Sequence, residues 1–433
     1  MAALEQKKSY FVAKDFKGIN STNNRTAIGE GEFSWLENTQ PIGFGNVRIV
    51  NAPDTIDTVT FANTVTYMAS ANIQNTEFLF AFQQDGSAQY VNIENNTQGN
   101  LAAANTFSNS NVQIVQWKNE RILIIDPANG YKTWDGTDLV SIGSIGSVTI
   151  NDPGTGYSNA NVSISAPDET GGEPAVGEVV LLSNTVAQVI LTEPGTGYTS
   201  PPTITINDPT GANANVTCTL FSQSGTSIAT FSGRTWISEE RTVYYSAADS
   251  YNDFINVSSG FLTLTDSTLR TNIATIIAAN NFLYIFGEDS INVFSDVRVN
   301  SVTGETLFTN TNVSASIGSG FKYAIFPYFR SMLFLNRYGV YALVGATTTK
   351  ISDSIDGVFT DIDFSLPITS GQVLINNILC AAWTFVYNDA GTPRTIQLVF
   401  FDRKWFVTSQ GSTITRTASA TLAGNIIMYG TTG

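Results

Sequence analysis

Histidine does not occur in this 433-residue sequence, and cysteine occurs only twice. Without histidine the chain has no Ser–His or Cys–His nucleophile, no imidazole general base and no histidine-containing zinc site. Two cysteines are too few for a thiolate metal cage or a disulfide framework. Cys218 and Cys380 lie in β-type runs, so we expect both to be small buried apolar side chains.

These absences leave carboxylate chemistry open, as in glycoside hydrolysis by paired Asp and Glu, or Mg²⁺ and Ca²⁺ bound by oxygen ligands. Asp249 and Asp253 have the ligand type for a cation, but Asn-Asp loops of this kind usually form turns. Residues 349–363 are rich in aspartate and lack the Glu and Gly positions of a Ca²⁺ loop. We therefore predict a solvated acidic loop there, and no catalytic residue, cofactor or metal site.

Charge is scarce and unbalanced. Only 13% of the residues are charged, and 36 acidic against 21 basic side chains give a net charge of −15. A protein that binds nucleic acid through its phosphates needs a basic patch, whereas the adjacent basic pairs here are Lys7–Lys8 and Arg403–Lys404. An acidic surface repels DNA, which would suit a channel along which DNA has to slide.

The sequence also lacks a long helical pattern and a membrane-spanning run. Residues 271–280, T-N-I-A-T-I-I-A-A-N, come nearest to helical periodicity and fit a buried strand equally well. Abundant Thr, Val, Ile, Phe and Tyr, with 35 glycines for turns, predict an all-β protein. The opening M-A-A-L-E-Q-K-K-S-Y-F-V lacks the apolar core of a signal peptide, so we expect a soluble chain made in a reducing cytoplasm.

One hairpin pattern recurs along the chain: an apolar run, a turn and a run with aromatic residues. Its clearest copy, residues 121–134, reads R-I-L-I-I-D-P-A-N-G-Y-K-T-W. Regular recurrence of one unit favours the blades of a β-propeller over an ordinary β-sandwich, the alternative that stays open. Trp134 precedes Asp135 as in WD repeats, but we interpret it as a core anchor. The other copies are residues 78–90, 235–245, 282–294, 332–344 and 395–407.

A different repeat interrupts this series. The segment D/E-P-G-T-G-Y begins at Asp152 and again at Glu193, and a strand with alternating β-branched residues follows each copy. We predict a small β-sandwich or barrel inserted into the propeller. The predicted divisions are an N-terminal arm (1–52), the first blades (53–141), the insert (142–222) and the remaining blades (223–433).

The arm is expected to be extended, with a short turn or helical piece near residues 33–38. It would pack on the ring or on a neighbouring subunit; a first, irregular propeller strand is an equal alternative. The last residues, 426–433, read as part of a blade.

The chain resembles the tail nozzle, or tail hub, proteins of short-tailed bacteriophages, a group that includes tail tubular protein B and packaged-DNA-stabilisation proteins. The resemblance lies in K-D-F-K-G-I-N-S-T and E-G-E-F-S-W-L-E-N-T-Q-P-I-G near the N-terminus. It continues in W-K-N-E-R-I-L-I-I-D-P-A-N-G-Y-K-T-W-D-G and R-T-W-I-S-E-E-R-T-V-Y-Y-S-A-A-D. It is a diffuse similarity that spans most of the chain, while family members are often longer.

The resemblance implies a structural virion protein in a ring of six copies below the adaptor ring of the portal. Such a ring retains the packaged genome and lets DNA pass without sequence-specific binding, with tail fibres or spikes as further partners. Residues 353–363 and the pair Glu288 and Asp289 are candidates for lining the channel. The rival hypothesis is a carbohydrate-binding or glycan-cleaving tail propeller, which the 27 Phe, 16 Tyr and 6 Trp would favour if they were exposed. A secreted adhesin is disfavoured by the missing signal peptide.

Overall fold

A computed structural model describes residues 15–22, 26–43, 45–108, 111–265, 269–409 and 414–431. The chain is all-β, and six antiparallel four-stranded sheets, joined in sequence order, form the blades of a β-propeller. The predicted fold class is therefore confirmed. In the part of the chain that the structure describes, no helix is long and apolar enough to cross a membrane.

The blades are numbered in chain order, and their strands from the axis outward. Blade 1 contains Val65–Ile73, Thr76–Gln83, Ala88–Asn92 and Thr97–Ala102; blade 2 contains Gln113–Trp117, Arg121–Asp126, Gly130–Trp134 and Leu139–Ser141. Blade 3 contains Ser227–Phe231, Arg234–Glu239, Thr242–Tyr245 and Gly260–Thr263; blade 4 contains Thr275–Ala279, Phe282–Phe286, Ile291–Val299 and Thr306–Ser314. Blade 5 contains Ile325–Tyr328, Ser331–Asn336, Gly339–Val344 and Thr347–Lys350; blade 6 contains Thr369–Ile375, Ile378–Asp389, Thr392–Phe401 and Lys404–Thr408.

The apolar runs that marked the hairpins are second strands buried on both faces. In blade 2, Ile122 and Ile124 pack toward blade 1, whereas Leu123 and Ile125 pack toward blade 3. A strand between two neighbouring sheets has no solvent face, so its sequence is a continuous apolar run rather than an alternating one. The ring thus has a chain of inter-blade cores, and Cys380 lies in one of them as a buried free thiol.

Five of the six predicted hairpins are the second and third strands of a blade. The sixth, residues 395–407, is also a hairpin, but it consists of the third and fourth strands of blade 6. The central pair of that blade is Ile378–Asp389 with Thr392–Phe401. A hairpin pattern marks two adjacent antiparallel strands and does not give their position in the blade.

A two-stranded hairpin fills the ring between blade 6 and blade 1. Its strands are Arg416–Leu422 and Asn425–Thr431. Ala418 and Ala420 share a core with blade 1, and Met428 packs against the core of blade 6. The hairpin therefore separates the first and last blades and completes the circle of sheets.

The described part of the N-terminal arm packs on its own ring, along the outer edge of blade 6. The Val407 N–H donates to Leu36 O at 2.9 Å, and the Asn38 N–H donates to Val407 O at 2.8 Å. The short strands of the arm are Gly18–Ile19, Glu32–Phe33, Thr39–Ile42 and Asn46–Ile49. Of the short turn or helical piece expected near residues 33–38, no helix forms; the segment bends at Ser34 and Asn38, and Glu37 forms a β-bridge with Val407. Residues 1–14, with Lys7–Lys8, lie outside the described residues.

One carboxylate fastens the arm to the blade. Glu37 accepts hydrogen bonds from both terminal nitrogens of Arg394, at 2.8 and 3.0 Å, and from Trp35 Nε1 at 2.6 Å. Arg394 also lies over the Trp35 ring, 5.7 Å from its centroid. These donors, Arg394 foremost, lower the pKa of Glu37 to about 2 from its usual 4.5.

We expect the arm to detach as the pH falls from 4.5 toward 2. A carboxyl with a depressed pKa in the folded state stabilises the fold above its unfolded pKa, and that contribution is lost through the folded pKa. At pH 7 the Glu37→Gln variant should release the arm and lose about 1–2 kcal/mol, a value reduced for partial solvent exposure. Limited proteolysis of the arm and Trp35 fluorescence measure the release. An arm that stays protected below pH 2 would contradict this assignment.

The insert follows blade 2 and precedes blade 3. Three two-stranded sheets surround its core: Ile145–Thr155 with Ala212–Leu220, Asn161–Ile164 with Ile204–Asn207, and Val176–Leu182 with Thr185–Glu193. The two G-T-G-Y segments form equivalent loops, in which Gly156 and Gly197 have φ of +80° and +79°, values that favour glycine. Cys218 is buried in this core, as expected.

Each repeat of the insert stabilises the loop of the other. Asp208, from the second repeat, accepts hydrogen bonds from the backbone N–H groups that follow Tyr157. Asp168, from the first repeat, does the same for the residues that follow Tyr198. These bonds to the ionised form lower the pKa of both carboxyls. The insert is thus one interlocked unit rather than two separate modules.

A polar cluster joins the insert to the propeller. Arg121 of blade 2 bonds Glu173 of the insert at 2.9 Å and Tyr251 of blade 3 at 2.7 Å. Tyr251 in turn donates to Glu173 at 2.8 Å. Phe221, where the insert ends, stacks on Phe254 with ring centroids 4.3 Å apart. The insert is therefore held from both neighbouring blades.

Candidate functional site

The axis of the propeller is the natural place to look for a functional site, because the blades surround a central channel. The first strand of each blade forms the wall of this channel. These strands all run in the same direction, so their first residues lie together at one end of the ring. Ser227 and Thr275 bond each other there through their hydroxyls at 3.0 Å, and Thr369 and Thr417 do so at 2.9 Å.

Two residues between blades 4 and 5 cross the channel at this end. Lys322 Nζ donates to Asn111 O at 2.6 Å, just before blade 2, and also to Thr226 O, just before blade 3. Tyr323 donates through its hydroxyl to Val112 O at 2.7 Å. We call Lys322 and Tyr323 the axial plug. The plug thus links the start of blade 5 to the residues before blades 2 and 3, on the opposite side of the ring.

The remaining sides of the ring also contact the axial plug. The Tyr67 ring of blade 1 stacks on Tyr323 with centroids 4.7 Å apart. Ser370 Oγ of blade 6 donates to Tyr323 O at 2.9 Å. Nearby, Arg416 Nε donates to Thr66 O at 2.7 Å. With partners in blades 1 and 6 and just before blades 2 and 3, the axial plug spans this end of the channel, where Lys322 and Tyr323 are half-buried.

The axial plug has unusual electrostatics. Burial lowers the pKa of Lys322 to about 7 from 10.5, and only the charge of Asp126 opposes this shift. Burial raises the pKa of Tyr67 and Tyr323, which keeps both phenols neutral. Asp126 is fully buried and accepts from Ala128 N at 2.8 Å. The plug is therefore a half-buried polar network, which the sequence did not indicate because its members are far apart in the chain.

The two acidic segments predicted to line the DNA channel of the six-copy ring lie apart from the first strands, which surround the axis of this one propeller; the prediction concerns the axis of the ring and stays a prediction. Glu288 and Asp289 form the turn between the second and third strands of blade 4, and the Glu288 side chain lies beside Gly320, near the axial plug. The other segment is a 3-10 helix, Asp353–Asp361, and not the solvated loop that we predicted. Three apolar side chains order it by packing into the core shared with blades 5 and 6; they are Ile355, Val358 and Phe359.

The described residues bring no cation ligands together. Asp253 accepts from the backbone N–H groups of Ile255 and Asn256, both at 3.0 Å, so it forms a turn as expected. No group of three or more Asp, Glu or Cys suited to a metal ion occurs among the described residues. Two surface hollows stand out, and each contains one carboxylate, Asp296 in one and Asp85 in the other. Glycoside hydrolysis needs two carboxylates facing one bond.

Comparison with known proteins gives a fold-level likeness only. The chain matches no protein-family model and no curated protein sequence. It is similar to a chain of the mitotic checkpoint complex, with 8% identity and a TM-score of 0.38 over 87% of this chain and 98% of that one. It is also similar to AztD of Citrobacter koseri, with 13% identity and a TM-score of 0.33 over 84% and 90%. At such scores neither likeness bears on function, and the propeller class stands on the sheets themselves.

Proposed function

We propose that this chain is a structural, non-enzymatic subunit of the tail nozzle or hub of a short-tailed bacteriophage. The sequence resemblance supports the family, and it extends over the arm and over the hairpins of blades 2 and 3. In this role, six copies form a ring below the adaptor, retain the packaged genome and open at infection. The subunit is made in the host cytoplasm and functions in the virion tail, in contact with the adaptor ring and with tail fibres or spikes.

The hydrogen bonds across the axis are the observation that carries this proposal. Lys322 and Tyr323 bond across the channel end that a ligand-binding propeller would leave open. A propeller whose axis is crossed by side chains acts as a solid wall element, that is, as part of the wall of a larger channel. DNA therefore runs along the common axis of several copies and not through a single propeller.

The charge and the attached elements agree with such a wall. A net charge of −15 disfavours tight binding to a polyanion, so that DNA can slide past the subunit. The arm is fastened along blade 6 and the insert is held by blades 2 and 3, which leaves the outer faces of both for contacts with other proteins.

Electron microscopy of the purified chain, and of the virion that contains it, tests this proposal. A sixfold ring with an axial hole at the distal end of the tail is the expected image. Mass spectrometry of purified virions should detect the chain in every tail. A monomeric propeller that binds glycans and is missing from virions would refute the proposal and leave the carbohydrate-directed function in its place.

A further inference from the structure

The two halves of the insert have the same backbone pairing. In the first half, Thr149 pairs with Thr217 between strands Ile145–Thr155 and Ala212–Leu220. In the second half, Ile190 pairs with Glu178 between strands Thr185–Glu193 and Val176–Leu182. The 41-residue offset of the sequence repeat relates Thr149 to Ile190, and the pairing then makes Thr217 equivalent to Glu178; each half has register shifts at the equivalent two places.

The outward faces of the two halves are chemically different. At the positions equivalent to the apolar side chains named next, the first half exposes small polar side chains, several of which hydrogen-bond one another, as Ser147 does with Thr219 at 2.6 Å. The second half exposes Val176, Val180, Leu182 and Ile190 at 52%, 39%, 69% and 44%. The two halves share their fold, their strand register and the exposure of these positions. The polar side chains of the first half therefore show which residue types suit contact with solvent there. We call the four aliphatic residues the apolar stripe.

The end of the first half shows what such a position can bind. Thr219 is equivalent to Val180, so Phe221, two residues further on, is equivalent to Leu182. Phe221 stacks on Phe254 and attaches the first half to a propeller blade of its own chain. Leu182 has the equivalent place in the second half and is exposed. Phe221 attaches the first half of the insert to a propeller blade. By the internal symmetry, the apolar stripe is placed to attach the second half to a propeller in the same way.

We propose that the apolar stripe binds the propeller of a second copy of this chain. Two stripes do not suit each other as surfaces, since Glu178 lies between Val176 and Val180 and would face its own copy across a twofold axis. The contact is therefore heterologous: the apolar stripe of one copy meets a different surface on the next copy. Heterologous contacts are the ones that close rings of more than two subunits. This inference rests on the proposed ring and names the surface that builds it.

The internal repeat provides the test variant. Val176→Asn, Val180→Thr and Ile190→Thr together install the residues that the first half has at the equivalent positions, which are Asn215, Thr219 and Thr149. Self-association of the full chain is measured by mass photometry and analytical ultracentrifugation over a concentration series. We expect the dissociation constant between copies to rise at least about 100-fold, since each buried aliphatic side chain contributes about tenfold.

The control changes the polar face by the same number of substitutions, Thr149→Ser, Thr217→Ser and Thr219→Ser, and should assemble like the wild type. Equal thermal unfolding of all three proteins shows that the insert is folded. Rings of the triple stripe variant that are as stable as wild-type rings would overturn this inference and leave the proposed function intact. A wild-type chain that stays monomeric at every concentration would also overturn it, while the imaging of virions decides the proposed function separately.

Discussion

Replacing Trp134 with alanine should lower the free energy of unfolding by about 3–5 kcal/mol. Trp134 belongs to the third strand of blade 2 and is 1% exposed. Its ring meets Phe78 and Phe80 of blade 1 edge-on at 5.5 Å and lies 4.9 Å from Tyr90. Removing the indole leaves a cavity between two sheets that cannot close without moving a whole blade. Urea unfolding, followed by circular dichroism, measures the loss.

Trp35→Ala provides the matched control, because Trp35 is only partly buried on the arm. It lies 5.3 Å from Tyr387 and beside Arg394, so its removal should cost less than half as much. If the two variants were equally stable, Trp134 would not be the anchor of an inter-blade core.

The blades were predictable because each contains a local signal. A second strand packed on both faces requires a continuous apolar run, as in residues 121–126, and a two-residue turn follows from adjacent residues that adopt positive φ. Asn280 and Asn281, with φ of 52° and 64°, are such a turn between the first two strands of blade 4. Local signals do not count strands, and therefore the pattern at residues 395–407 marks the third and fourth strands of blade 6, whereas the other copies mark the second and third.

The candidate site was not predictable, because it depends on contacts that exist only after the ring has closed. Lys322 and Tyr323 stand in G-S-G-F-K-Y, which as a sequence indicates only a loop. Their partners Asn111 and Val112 are 211 residues away. The apolar stripe was not predicted, for a different reason. A strand such as V-G-E-V-V-L-L is expected to bury one face, and its pattern does not show that the exposed face also holds aliphatic side chains. That became clear from comparison with the polar half of the insert.

The axial plug should make the stability of the protein rise between pH 7 and pH 10. The pKa of Lys322 is about 7 in the folded protein against 10.5 for an ordinary lysine. Between these values the unfolded chain binds a proton that the folded chain does not, so raising the pH favours folding. The rise should be on the order of 2–4 kcal/mol in total. The buried phenols of Tyr67 and Tyr323 act in the opposite direction, but only near and above pH 10, where unfolded tyrosines ionise.

Lys322→Met isolates this contribution, because methionine keeps the apolar stem and removes the titrating group. Chemical unfolding of both proteins at half-unit steps should give a flat profile for the variant where the wild type rises. Lys350→Met, which removes an ion pair with Asp356 at the surface, should leave the rise unchanged. Equal slopes in the wild type and Lys322→Met would mean that water reaches the lysine in the folded state. The channel would then be open at this end, and the argument for a solid wall element would fail with it.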